Sequence, residues 1–286
     1  MESVIRSTVS VSMGDMSVPV LALNDGHTIP QLGLGVYKIG DEDVVDTVVT
    51  ALETGYRHID TAALYGNERG VGAGIRASGL PREQVFLTTK VWNDDHGFEQ
   101  TLAAFDRSLA SLGTEYVDLY LVHWPLPSRN RYVDTYRALE RLQQEGRVRS
   151  IGVSNFAPEH SERLLSETSV VPAVNQVEMH PRLPQEEVRA SNAAHGIVTE
   201  AWSPLARGRL LDHPVLAGLA VKHAVSPAQV VLRWHIQLGV VVIPKSITPE
   251  RIRANFDVFS FALDETDLAA IASLATGERT GRDPRT

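Results

Sequence analysis

Eight short, almost unbroken apolar runs separated by helix-length segments limit what this chain can become more than any other feature. The runs fall at 32–36, 57–59, 85–89, 117–122, 148–153, 173–177, 197–201 and 240–243. Continuous apolarity of that length reads as a strand buried on both faces, the environment of a parallel sheet covered by helices. Between the runs the period changes. Phe98, Leu102, Phe105, Leu109 and Leu112 step by four, three, four and three, painting one face of a helix that ends at Gly113. Val133, Tyr136, Leu139 and Leu142 repeat the pattern before Gly146, and 215–223 and 227–238 supply another pair. Strand-helix repeats of roughly 20 to 45 residues predict an α/β fold, a closed (β/α)8 TIM barrel rather than an open sheet. Ahead of it, 18–23 and 27–30 flank Asn24, Asp25 and Gly26, which predicts a β-hairpin. Helices at 250–255 and 264–274 close the chain, followed by a short polar tail from Thr276. The expected organisation is a weakly ordered segment over 1–16 and one barrel domain over 17–286.

Several runs end in residues able to do chemistry. The second ends in Asp60, the third in Lys90, the fourth in His123 and Trp124, and the fifth in Ser154 and Asn155. The sixth contains Asn175 and Gln176, the seventh ends in Trp202 and Ser203, and the eighth in Lys245 and Ser246. In a barrel all of these lie near the mouth formed by the C-terminal strand ends, where active sites are built, so the chain reads as an enzyme. Its charge narrows the partners. With 27 Lys+Arg against 35 Asp+Glu the net charge is −8, which argues against nucleic acid or an anionic membrane. Cysteine is absent, so thiolate nucleophiles and Cys-ligated metals are excluded. No apolar stretch has the length of a signal peptide core or a membrane span, and the expectation is a cytoplasmic protein.

Familiar alternatives fail on spacing. Gly152 to Phe156 lacks the second glycine of a nucleophile elbow, no His-Glu-x-x-His occurs, and no metal site is expected. Gly70, Gly72 and Gly74 lie inside a predicted helix rather than after a strand, which rejects a Rossmann loop. One local cluster stands out in an acidic chain. Lys245, Ser246, Thr248 and Arg251 put two cations and two hydroxyls around the start of a helix, a place suited to an anion.

Taken in order, the motifs GLGVY at 33–37, RHIDTA at 57–62, YGNE at 65–68, TTKVW at 88–92, LVHWP at 121–125, IGVSNF at 151–156, NQVE at 175–178, AWSPL at 201–205 and IPKS at 243–246 form a pattern. The chain resembles the aldo-keto reductase superfamily from 18 to 284, and in its short loops and Trp202 it is similar to the bacterial diketogluconate-reductase branch. The resemblance implies NADP(H)-dependent reduction of a small carbonyl compound by a monomer, without a metal. It places the catalytic tetrad on Asp60, Tyr65, Lys90 and His123. The expected roles are Tyr65 as proton donor, acidified by the Lys90 ammonium, with Asp60 orienting Lys90 and His123 holding the carbonyl oxygen. For the cofactor it implies Ser154, Asn155 and Gln176 at the carboxamide, Trp202 stacked on the nicotinamide with Ser203 and Leu205 following, and Lys245, Ser246, Thr248 and Arg251 at the 2′-phosphate. Asn255 would sit near the adenine, while Ala254 departs from the usual Glu or Gln there. Tyr37, Trp92 and Trp124 would wall the substrate pocket with His123. Two other readings remain open from the residues: an NADPH-binding redox-sensing module with little turnover, and a Schiff-base lyase using Lys90.

Overall fold

The computed structural model describes residues 18–286, so the expected weakly ordered segment 1–16 lies outside the described residues. A hairpin comes first, β1 (Val20–Ala22) paired antiparallel with β2 (Thr28–Pro30). Eight parallel strands follow: β3 (Leu34–Gly35), β4 (His58–Asp60), β5 (Phe86–Val91), β6 (Val117–Val122), β7 (Val148–Ser154), β8 (Val174–Glu178), β9 (Val198–Trp202) and β10 (Val241–Val242). They are ordered sequentially in one sheet. Its two ends meet through a parallel bridge between Leu32 and Val242 and through the Gly33 N–H, which donates to the Val242 carbonyl at 2.9 Å. The barrel is closed, as the alternation of runs and helices implies.

Among the described residues ten α-helices accompany the strands: α1 (Asp43–Thr54), α2 (Glu68–Ala77), α3 (Phe98–Leu112), α4 (Tyr132–Gln144), α5 (Pro158–Glu167), α6 (Glu186–Ala194), α7 (Pro214–His223), α8 (Pro227–Gln237), α9 (Pro249–Phe256) and α10 (Glu265–Ala272). All residues of β6 are buried, which explains its continuous apolar run. The exception in type is Asp118, whose carboxylate accepts from the Leu87 N–H and pairs with Arg82 and Arg149. Both guanidinium groups lie over the Tyr116 ring, at 4.3 and 4.4 Å. This cluster sits where β6 begins, opposite the mouth, and serves stability. Leu23 and Ile29 of the hairpin region pack with Leu119, Leu121, Val174 and Val241 inside the barrel.

The glycines of α2 are packing residues. A Cβ on Gly70 would collide with the Asp41 carbonyl, and one on Gly72 with the Leu112 carbonyl at the end of α3. Backbone rather than a flexible side chain is the obstacle, so Gly72→Ala is expected to destabilise the fold by at least about 1–3 kcal/mol. Urea unfolding measures this, and an unchanged midpoint would contradict it.

After α10 the chain returns to the mouth. The N–H groups of Thr276 and Gly277 donate to the Arg182 carbonyl, and those of Thr280 and Gly281 donate to the Glu178 carboxylate at the end of β8. Glu178 is held down to about 2 despite its burial, by the donors of His180, Thr280 and Gly281. Among the described residues no single helix is long and apolar enough to cross a membrane.

Candidate active site

The deepest charged pair of the mouth joins neighbouring strands. Asp60 ends β4, and Lys90 stands on β5 two residues beyond Thr88, the register partner of Asp60. Lys90 Nζ donates to both Asp60 oxygens, at 2.7 and 2.8 Å, and to the Thr61 carbonyl at 2.8 Å. Its side chain is 0% exposed and that of Asp60 2%. Burial raises the Asp60 carboxyl above its ordinary value, while the ammonium and the Gln176 amide pull it back. All three N–H bonds of an ammonium are used. That leaves no free amine lone pair, and the lysine is not poised as a Schiff-base nucleophile.

Tyr65 closes the short 3-10 turn Ala63–Tyr65 that follows β4. Asn67 fixes this turn from beneath. Its amide donates to the carbonyls of Val36 and Ile39, each at 3.0 Å, and its oxygen accepts from the Thr61 hydroxyl at 2.8 Å, tying the loops after β3 and β4 together. The half-buried Tyr65 ring lies 4.9 Å from Tyr37 and 5.8 Å from His123, centroid to centroid, and 5.2 Å from Lys90 Nζ.

Here the expected acidification of Tyr65 is corrected. Burial, followed by the charges of Asp60, Tyr37 and Glu200, pushes the phenol well above its usual value. Lys90 gives none of its N–H bonds to the phenol, all three going to Asp60 and Thr61, and burial sets the direction. Tyr65 therefore rests as a neutral phenol, the form a proton donor requires.

His123 is buried, and desolvation together with the Lys90 charge holds it well below the usual imidazole value. It is neutral at pH 7 and has one N–H to give. Its Nδ1 is enclosed without a partner, whereas Nε2 is not among the sealed atoms. The Trp92 ring stands edge-on to it at 5.1 Å. Trp124 is half-buried beyond His123, and Tyr37 is 47% exposed at the rim.

On the far side of the mouth a chain of amides connects β7, β8 and β9. The Ser154 hydroxyl donates to the Gln176 carbonyl at 2.9 Å, and the Asn155 amide donates to the His123 carbonyl at 2.9 Å and to Ser154 Oγ at 3.1 Å. Asn155 Oδ1 accepts from the Trp202 indole N–H at 2.8 Å, which sets the plane of that ring. Asn155 has φ of 63° and Ser203 48°, left-handed conformations that cost most residues energy and gather at functional sites. Gln176 Nε2 donates to Asp60 Oδ2 at 2.8 Å and to Glu200 Oε2 at 2.9 Å, leaving its own Oε1 as the amide atom free of those two contacts. Much of the hydrogen bonding capacity expected to meet a carboxamide is thus used internally, and these residues orient one another.

The last strand leads into the basic cluster. Lys245 and Arg251 are exposed and Ser246 is buried, accepting from the Thr248 N–H at 3.1 Å. Thr248 precedes α9 without making a side-chain cap, so the helix start keeps free N–H groups beside two cations. Asn255 is buried on α9, and Leu205 is half-buried after β9. An exposed cation pair at a helix start and a tethered, half-exposed indole fit a nucleotide bearing an extra phosphate.

The sequence matches the Aldo/keto reductase family over residues 31–276. The chain belongs to the aldo/keto reductase family. Among relatives of this reductase, an aldo-keto reductase of Mycolicibacterium smegmatis is 58% identical over 94% of this chain and 98% of its own length. The methylglyoxal reductase DkgA of Escherichia coli is 49% identical over 93% of this chain and 96% of its own. A point variant of Gox0644, solved in complex with NADPH, superposes with a TM-score of 0.91 at 46% identity, covering 94% of this chain and 98% of that one.

Of the predicted residues in this aldo/keto reductase, Asp60, Tyr65, Lys90, His123, Trp92, Tyr37 and Gln176 are joined by direct contacts. Lys245, Ser246, Thr248, Arg251 and Asn255 form a separate group at the start of α9. Sequence reasoning passed over Glu200 and Glu178. A carboxylate inside an apolar run is the available signal for the first, and the NQVE motif gives none for the second.

Proposed function

We propose that this enzyme reduces the carbonyl group of small aldehydes, ketones, α-dicarbonyls such as methylglyoxal, or keto-sugars to an alcohol with NADPH, Tyr65 donating the proton. The observation that carries this reading is the meeting of a neutral Tyr65 phenol, a neutral His123 and the Lys90–Asp60 pair at the open strand-end mouth. A bound NADPH supplies hydride to the carbonyl carbon. The protein's part concerns the oxygen. His123 Nε2–H holds it by a hydrogen bond, and Tyr65 Oη gives it a proton as charge develops. The phenol is protonated when the carbonyl arrives, so a proton is available to the oxygen as hydride adds to the carbon. Lys90 and Asp60 keep the floor of the site polar and fixed, and Lys90 then stabilises the phenolate left behind.

Trp202, held by Asn155, would offer a flat face to the nicotinamide, and Gln176 Oε1 would accept from its carboxamide. Lys245 and Arg251, with the hydroxyls of Ser246 and Thr248, take the 2′-phosphate. Two charge-assisted contacts of roughly 1.5 to 3 kcal/mol each should make NADPH bind about 10² to 10⁴ tighter than NADH. Fluorescence titration of both nucleotides tests this. Equal dissociation constants, or a selectivity unchanged by the Lys245→Ala, Arg251→Ala double variant, would contradict the assignment. The reductase function itself is tested by NADPH consumption against a panel of aldehydes, ketones and diketones.

A further inference from the structure

Beneath the site lies a buried carboxyl group that the proposed chemistry does not use. Glu200 stands in the middle of β9, 0% exposed, its Oε2 accepting 2.9 Å from Gln176 Nε2. The same nitrogen donates to Asp60 Oδ2 at 2.8 Å, so one amide spans the two carboxyl groups. Glu200 Oε1 has no partner, and the nearest basic atom, His58 Nε2, is 3.7 Å away and already 3.1 Å from Thr88 Oγ1. We propose that Glu200 is a positioning residue of this site, acting through Gln176 on the Asp60–Lys90 pair and altering its grip as it gains or loses a proton.

A buried carboxylate needs several donors, and Glu200 has one. Desolvation and the Asp60 charge push it up to about 8, while His58, held down to about 3 by burial and by Lys90, offers no compensating charge. The groups facing it are Asp60 and His58 from β4, Lys90 from β5, and Tyr65 from the loop after β4. β8 brings the Gln176 amide, and β10 brings Val241, the register partner of Glu200. Glu178, also on β8, is engaged by His180 and the C-terminal segment.

The two protonation states differ in what Lys90 and Tyr65 experience. With Glu200 neutral, Lys90 faces one carboxylate, and Gln176 leans its stronger hydrogen bond toward Asp60. With Glu200 ionised, two negative charges share one ammonium, Gln176 is drawn both ways, and Tyr65, on which the Glu200 charge already acts, becomes a weaker acid. Reduction should therefore slow on the alkaline side while Tyr65 is still protonated.

The role rests on the reductase function proposed above, but two of its tests need no turnover. In the wild-type enzyme, the infrared C=O band of a buried protonated carboxyl should be present at pH 6.5 and fade through about pH 8. The 15N resonance of the Lys90 ammonium should shift over the same range. In Glu200→Gln both changes should vanish. With NADPH and methylglyoxal, wild-type kcat should fall about tenfold from pH 7 to pH 9 through this group, and Glu200→Gln should lose that limb. A wild-type enzyme without the band or without the Lys90 shift overturns the inference, whether or not the variant folds, and so does a variant that keeps the alkaline limb. Absence of any carbonyl turnover would instead overturn the function and leave the infrared and 15N arms to decide the coupling.

Discussion

Replacing Tyr65 with Phe is expected to lower kcat for carbonyl reduction by about 10²- to 10⁴-fold, the usual contribution of a positioned proton donor. The substitution removes only the hydroxyl. The ring keeps its neighbours Tyr37 and His123, at 4.9 and 5.8 Å, so the mouth retains its shape. Lys90 does not depend on the phenol either, because its three donors go to Asp60 and Thr61. NADPH should accordingly bind Tyr65→Phe as it binds the parent, and the loss should appear in kcat and kcat/KM alike, the pattern of an interaction made in the transition state. Steady-state rates with methylglyoxal alongside nucleotide titrations separate the two. A variant with near-normal kcat would remove Tyr65 from the role of acid.

The second large effect concerns stability. Asp60→Asn leaves the Lys90 ammonium in a site with 0% exposure and without the one carboxylate hydrogen-bonded to it. Breaking a buried pair from one side costs about 3–5 kcal/mol, whereas replacing both charges with well-packed neutral groups is often close to neutral. Chemical denaturation of Asp60→Asn should show the full loss, and Asp60→Asn combined with Lys90→Met should recover most of it. On the proposed mechanism activity should not return in the double variant, since Tyr65 would then lack the cation beside its phenolate. A single substitution costing under about 1 kcal/mol would mean that the pair is far better solvated than its geometry indicates.

The features legible in the sequence were those governed by periodicity. Runs buried on both faces gave away β5 to β9, and the Asn-Asp-Gly turn marked the hairpin. The least legible strands were β3 and β10, two residues each, because they form the seam where the sheet closes through Leu32 and Val242 and loop backbone completes the pairing. Asp60 and Lys90 are legible as strand ends: Asp60 closes β4 and Lys90 stands one residue before the end of β5, and both tolerate burial because their charges satisfy each other across the β4–β5 pair. Motif order also marked Tyr65 and His123, but not the electrostatics around them. That a lysine stands near a tyrosine reveals neither how deeply the phenol is buried nor which carboxylates surround it, and burial, followed by those charges, sets the direction for Tyr65 opposite to the one the motif implies. Glu200 was hidden in plain view for a related reason. A charged residue in an apolar run is conspicuous, but its partners come from strands distant in the chain. The polar tail gave no sign of returning to Glu178, because those contacts are made largely by its backbone N–H groups.

The central claim, that this barrel mouth transfers hydride and proton to a small carbonyl, is tested most directly by following NADPH absorbance and alcohol formation together with methylglyoxal as substrate. The account predicts one NADPH consumed per alcohol formed by the wild-type protein, with almost none consumed by Tyr65→Phe at saturating nucleotide. Tight NADPH binding without consumption on methylglyoxal and the wider carbonyl panel, or equal rates for the two proteins, would contradict it.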